Sequence, residues 1–392
     1  MAHDSSCRSR NGVRREWDWT RWDWTDWGWT GWGWTEPDRA NAPRDRAEHR
    51  IGRCILRAMS RSAGLDALRA FACAMVVAFH LRTVAGVGFG PLDPFVEGGD
   101  SGVYVFFALS GYLLYRPFLR DGGTDLRAYA IKRAARILPG YFLALVALTL
   151  LTRNPLPTEH PLPFLAIASS YSIPLRSFMG SAWTLSAEVL FYVTLPLIAR
   201  VARGRELPVL GELAAFSMLA AVALRATLSA GNEWLIGSYP VVVYAFVPGM
   251  ILAVVEQKRL SAFRRLAAWP VAGLGAALLV LGTIAHAVPL AMAPTVGGAL
   301  LMSWLLQHRV PAARTLAFLG GMSYATYLWH KDLLIAFGPV GLVIALFGAA
   351  ASWALLERPI LAWAHRVARG RTVKPAPDEP APEHLLPTAI GS

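Results

Sequence analysis

Apolar runs of about 17–22 residues recur between Gly64 and Glu357, separated by short links that carry arginine, proline or glycine. About 20 consecutive apolar residues cross the hydrocarbon core of a bilayer as a helix. A succession of such runs therefore predicts an all-α polytopic membrane protein embedded in a lipid bilayer. Composition agrees, since 16% of the 392 residues are charged where soluble domains average about 25%.

About ten transmembrane helices are expected, at 65–84, 101–119, 137–153, 183–201, 208–227, 236–256, 266–283, 289–306, 315–336 and 339–357. Cytoplasmic links carry the excess of Lys and Arg. With the N-terminus inside, twenty such residues fall on the inner side and five on the outer (Arg82, Arg153, Arg176, Arg225 and Lys331). Both termini are thus expected in the cytoplasm, and the protein in the cell (plasma) membrane. The proline-broken stretch His160 to Ala182 is expected as an outer-face or re-entrant segment, because a full span there would invert every later link. The same asymmetry accounts for the net charge of +12, and no nucleic-acid partner is expected. Cys7, Cys54 and Cys73 show neither metal nor redox spacing, so no metal site is expected.

An ionisable side chain within the hydrocarbon is a functional-site hypothesis by default. The first run, GLDALRAFACAMVVAFHLRT, holds Asp66, Arg69 and His80. Arg69 and His80 are close to three turns apart, so they share a face and lie roughly 16 Å apart along the helix. Either they snorkel to opposite interfaces, or one face connects an inner anion site to a base farther out. Glu188, one turn into SAWTLSAEVLFYVTLPL behind Trp183, is either a tie between helices or part of the chemistry. Tyr327 and His330, at i and i+3 in GMSYATYLWHKDL, read as an aromatic belt with a satisfied histidine or as a substrate contact. Arg116, Arg120, Arg127, Lys132, Arg133 and Arg136 crowd one short link before the third helix. They serve topology, or they dock a polyanionic cytosolic ligand, because arginine forks match phosphates.

These pieces together resemble the acyltransferase 3 family of bacterial integral-membrane O-acyltransferases. The resemblance is carried by GLDALRAFACAMVVAFH with its Arg69-x10-His80 pair, FFALSGYLLYRPFLR, KRAARILPGYFLAL, WTLSAEVLFY and YATYLWH, in that order over about 65–360. It implies acyl-CoA, acetyl-CoA most commonly, as co-substrate, with no permanently bound cofactor. The acceptor it implies is a hydroxyl of a surface carbohydrate or of a glycosylated small molecule or lipid. Carried over by position, His80 is the base, Arg69 its motif partner and Glu188 the acidic residue after WTL. Arg133 and Arg136, with Arg116 and Arg120 in the same link, are candidates for the CoA phosphates. Asp66, Trp183, Tyr327 and His330 are candidates for contacting substrate. Histidine suits proton abstraction near neutral pH, and both direct transfer and a covalent acyl relay stay open. The rival is a polytopic transporter or acyl-relay partner that uses buried Arg, His and Glu without transferase activity.

Residues 1–60 are expected as a disordered Arg/Trp-rich tail, 61–365 as the membrane domain and 366–392 as a disordered Pro-rich tail. The repeat WDWTRWDWTDWGWTGWGWT (Trp17–Thr35) has a mean Trp spacing of 2.5, which builds no single helical or strand face. It reads as an interface-resting tail or as a translated tandem DNA repeat, with Met59 an alternative start.

Overall fold

The structure, a computed structural model, describes residues 42–369 apart from 121–123, 173, 228–237, 259–260, 286–291 and 309; at 42–62 it describes the backbone alone. Trp17–Thr35, His286 and the tail from 370 onward lie outside the described residues. Within them the chain is helical, with no β-strand.

The long helices are α1 (Ala42–Ala85), α2 (Gly102–Tyr115), α3 (Leu126–Thr152), α4 (Trp183–Ala202), α5 (Glu206–Thr227) and α6 (Val247–Gln257). They are followed by α7 (Trp269–Ala285), α8 (Met292–Leu305), α9 (Ala313–Phe337), α10 (Pro339–Ser352) and α11 (Arg358–Arg369), the last two joined by a π-helical turn over Trp353–Glu357. Each of the ten expected segments overlaps a helix. The described backbone of α1 runs from Ala42 to Ala85 and includes residue 60.

Among the described residues, six helical segments are long and apolar enough to cross a membrane, or seven if the bent pair Tyr239–Ala245 and Val247–Gln257 counts as one. Three of the ten expected spans fall outside that set. Helices α7 and α8 flank the undescribed residues 286–291 and have 17 and 14 described residues, against the roughly 20 of a typical span. Helix α9 is 25 residues long but carries Ser323, Tyr324, Thr326, Tyr327, His330, Lys331 and Asp332. A membrane protein is nonetheless what the surface describes. Leu150, Val193, Phe216, Phe347 and Leu355 are each more than 70% exposed, an apolar exterior that suits lipid rather than water.

Local signals explain the boundaries near the site. Asp125 caps α3, its Oδ1 accepting from the backbone N–H of Arg127 at 2.9 Å and of Ala128 at 3.1 Å. The third helix therefore begins eleven residues before the expected 137. Lys132, Arg133 and Arg136 lie on its first turns, not in a link. Gly338, with φ of 60°, ends α9, and Pro339 starts α10 directly after it. The stretch from 156 to 182 folds as short helical turns with Phe164, Phe178 and Met179 buried. Among the described residues no membrane-length helix forms there.

The core divides in two. One cluster centres on Tyr112, Phe191 and Phe246, from α2, α4 and the turn before α6. The other centres on Tyr141, Phe164, Phe178 and Trp329, from α3, the 156–182 stretch and α9. Helix α1 packs along α9, and α2 packs on α1, α6 and α8.

Candidate active site

A cavity of about 120 Å³ opens at the seam between the two core clusters. Its apolar wall takes Leu109 and Leu114 from one cluster and Ile137, Leu185 and Leu328 from the other. Into it converge Arg69 from α1, Ser110 from α2, Arg133 and Arg136 from α3, Glu188 and Tyr192 from α4, and Tyr324 and Tyr327 from α9. Five helices thus deliver three guanidinium groups and one carboxylate to one small space.

Each charge is held differently. Arg69 Nη1 lies 3.1 Å from Asp66 Oδ1, one turn earlier on α1, and Asp66 is buried. Glu188 Oε1 accepts the hydroxyls of Ser110 at 2.7 Å and Tyr192 at 2.8 Å. Arg136 Nη1 is 3.8 Å from Glu357 Oε2, and its guanidinium lies over the rings of Tyr324 and Trp353. Glu357 is fully buried and also accepts from Ser352 Oγ at 2.9 Å. Arg133 is the least committed of the three. Its guanidinium lies 5.9 Å from the ring centroids of both Tyr129 and Tyr192, and its buried Nε has no hydrogen-bond partner.

His80 is not on the cavity wall. Its ring sits edge-on to that of His330, with centroids 4.9 Å apart and His330 Nε2 3.1 Å from His80 Nδ1. Tyr327 spans the two places. It lines the cavity, its centroid is 5.8 Å from that of His330, and its hydroxyl donates to Ser181 O at 3.0 Å while accepting from Thr184 Oγ1 at 3.0 Å.

Two expected anion contacts are engaged elsewhere. Arg116 Nε lies 3.2 Å from Glu256 Oε2, which also accepts the Tyr112 hydroxyl at 2.6 Å, and the guanidinium covers the Tyr112 ring. Arg116 therefore ties α2 to α6, and neither it nor Arg120 lines the cavity. Trp183, the first residue of α4, meets Phe107 edge-on at 6.2 Å and is likewise off the wall. Four residues escaped the sequence reading as site members: Ser110, Tyr192, Tyr324 and Glu357. The available signal was Ser110 within SGY; a tyrosine on a membrane helix, or a glutamate beside an arginine at a helix end, draws no notice by itself.

The fold and the cavity define an integral-membrane protein with a charged site at a helix junction. Comparison with known proteins then supplies the family. A family model described as "Acyltransferase domain" matches residues 62–363, and the chain belongs to that family, acyltransferase 3. Among its relatives is "Exopolysaccharide production protein ExoZ" of Rhizobium meliloti (strain 1021), 30% identical over 298 residues, 67% of this chain and 90% of that protein. "Nodulation protein 10" of Rhizobium leguminosarum bv. viciae is 26% identical over 354 residues, 76% of this chain and 92% of the relative. A shorter match, 37% identical over 84 residues (20% of this chain, 12% of the relative), is to "Putative peptidoglycan O-acetyltransferase YrhL" of Bacillus subtilis (strain 168). No solved structure matches. The protein is an acyltransferase, and the transporter reading gives way to that.

Proposed function

We propose that this membrane acyltransferase transfers an acyl group, acetyl in the simplest case, from acyl-CoA to a hydroxyl of a cell-surface carbohydrate or of a glycosylated small molecule or lipid. The observation that carries the reading is the convergence of Arg69, Arg133 and Arg136 on one cavity, with His80 farther along the helix that bears Arg69. Acyl-CoA is itself polarised in this way, with phosphates at one end and the thioester at the other. Cationic forks grip the phosphate end, and a base roughly 16 Å away along α1 meets the acyl end. The relatives' printed names, exopolysaccharide production and peptidoglycan O-acetyltransferase, favour a carbohydrate acceptor.

In the direct route, His80 takes the proton of the acceptor hydroxyl as its oxygen attacks the thioester carbonyl. The carbon–sulfur bond then breaks, and the CoA thiolate leaves with the proton returned from the imidazolium. A covalent acyl relay through the same site would differ in inserting an acyl-enzyme between donor and acceptor. Ten spans with both termini cytoplasmic, in the plasma membrane, complete the reading. They set the arginine-lined cavity towards the cytosolic donor.

The test uses the full chain in proteoliposomes with [14C]acetyl-CoA and a glycan and glycolipid extract of the source cells as acceptor. Label transferred by the wild type and lost in His80→Ala supports the reading. Undiminished transfer by a folded His80→Ala protein would falsify it.

A further inference from the structure

The nitrogens of His330 have partners that fix where its proton sits. Its ring is fully buried, and Nδ1 lies 3.1 Å from Thr326 O and 2.9 Å from Tyr327 O. Carbonyl oxygens only accept, so Nδ1 carries the hydrogen, and the neutral ring keeps its lone pair on Nε2. That lone pair is 3.1 Å from His80 Nδ1, which is also 2.9 Å from Val76 O. His80 Nδ1 therefore faces two acceptors and must be the protonated nitrogen of its ring. The only lone pair left on His80 is at Nε2, for which no protein hydrogen bond is found among the described residues.

We propose that His330 is a positioning residue for His80, selecting the tautomer in which Nε2 is the base and steadying the imidazolium once Nε2 has taken a proton. The inference rests on the reading of His80 as base. It is built from the backbone of α9, which aims Nδ1 of His330 at its own helix, and from the packing of α1 on α9, which brings the two rings together. The hydrogen bond on one ring nitrogen decides the role of the other. Here the partner is a neutral acceptor, so no charge is buried to orient the base. After proton uptake, His80 Nδ1–H becomes a charged donor shared between Val76 O and His330 Nε2, and such bonds are about twice as strong as neutral ones. Because His330 has no exposed surface and both nitrogens are engaged, its part is played through His80 and not by contact with substrate.

The experiment compares His80→Ala, His330→Leu and His330→Gln in the proteoliposome assay, with folding followed by thermal melts in detergent. Leucine fills the space without an acceptor; glutamine offers Oε1 where Nε2 stood. We expect His80→Ala to be inactive and His330→Leu to lose about 100-fold in kcat, within the range of general-base catalysis. KM for acetyl-CoA should stay within a factor of about three of the wild type, and His330→Gln should recover to within about tenfold of the wild-type kcat. If His80→Ala is dead while folded His330→Leu keeps the wild-type kcat, the inference fails and the base reading stands. If His330→Leu raises KM alone, or folded His330→Gln is as slow as His330→Leu, the positioning role is overturned. Should His330→Leu not fold, kcat of His330→Gln decides by the same limit. If His80→Ala is active, the base reading falls and takes the inference with it.

Discussion

Ser110 Oγ donates to Glu188 Oε1 at 2.7 Å, tying α2 to α4 across the cavity, and Tyr192 adds a second donor to the same oxygen at 2.8 Å. A carboxylate held by two hydroxyls is either a tie between helices or a charge placed for the reaction, and one substitution separates the two. Glutamine keeps an acceptor oxygen for both hydroxyls and removes the charge. We expect Glu188→Gln to melt within a few degrees of the wild type and to transfer about 100-fold more slowly, a loss of about 2.7 kcal/mol in transition-state stabilisation. Glu188→Ala should in addition lose stability, by about 0.6–2 kcal/mol for each interhelical bond removed. A wild-type rate in Glu188→Gln would make Glu188 a structural tie.

Arg133 and Arg116 should separate cleanly in binding assays. Arg133 reaches the cavity with its buried Nε unbonded, while Arg116 is paired with Glu256. Arg133→Ala is expected to raise the Kd for CoA about tenfold, equal to about 1.4 kcal/mol, with little change in melting temperature. Arg116→Ala should do the reverse, lowering the melt because Glu256 is left without its cationic partner. Titration calorimetry in detergent reads both. Equal loss of CoA affinity in the two variants would contradict this division of labour.

Much of the site was legible in the sequence for one reason: a charge in an apolar run stands out against its background. Arg69 and Glu188 stand out in that way, Arg133 and Arg136 instead as members of a basic cluster ahead of an apolar run, and all four line the cavity. Arg116 was selected by the same rule and went elsewhere, because proximity in sequence to Arg133 does not show that its pairing partner, Glu256, waits on a helix 140 residues on. The helical segments were equally legible from apolar run length. Among the described residues six or seven of the ten expected spans are long and apolar enough to cross by themselves, because α7 and α8 are short there and α9 carries the polar residues that build the site. The contact between His80 and His330 spans 250 positions, and periodicity within either helix holds no information about it.

Asp332 fixes the 156–182 stretch to α9. Its Oδ1 accepts the backbone N–H of Met179 at 2.8 Å, and its Oδ2 is buried without a hydrogen-bond partner. Met179 has φ of 50°, a conformation that non-glycine residues rarely adopt, so the bond holds a turn with little intrinsic preference for its shape. Two residues on, Ser181 O receives the hydroxyl of Tyr327. Asp332→Ala should free this turn and increase amide exchange over 175–184 by about tenfold or more, while Asp332→Asn keeps the acceptor and the protection. Hydrogen–deuterium exchange with mass spectrometry makes the comparison. Unchanged exchange in Asp332→Ala would show that packing of Phe178 and Met179 is sufficient.

At Gly320, α9 packs tightly against the backbone of α1 at Asp66. A Cβ placed there would lie 2.6 Å from Asp66 O, nearer than such atoms approach, and the neighbour is backbone that cannot swing aside. Gly320→Ala must therefore move the helices apart by several tenths of an ångström. The contact between His330 Nε2 and His80 Nδ1, at 3.1 Å, has little slack, since a separation of about 3.6 Å is no longer a hydrogen bond. Alanine also favours a helix over glycine by about 1 kcal/mol, so a stability change alone is ambiguous. Gly211, on α5 with nothing within 4 Å of a built Cβ, supplies the reference. We expect Gly211→Ala to raise the melting temperature slightly and leave transfer intact, and Gly320→Ala to lower both. If Gly320→Ala were as stable and as active as Gly211→Ala, close approach of α1 to α9 would not be what sets the geometry of the histidine pair.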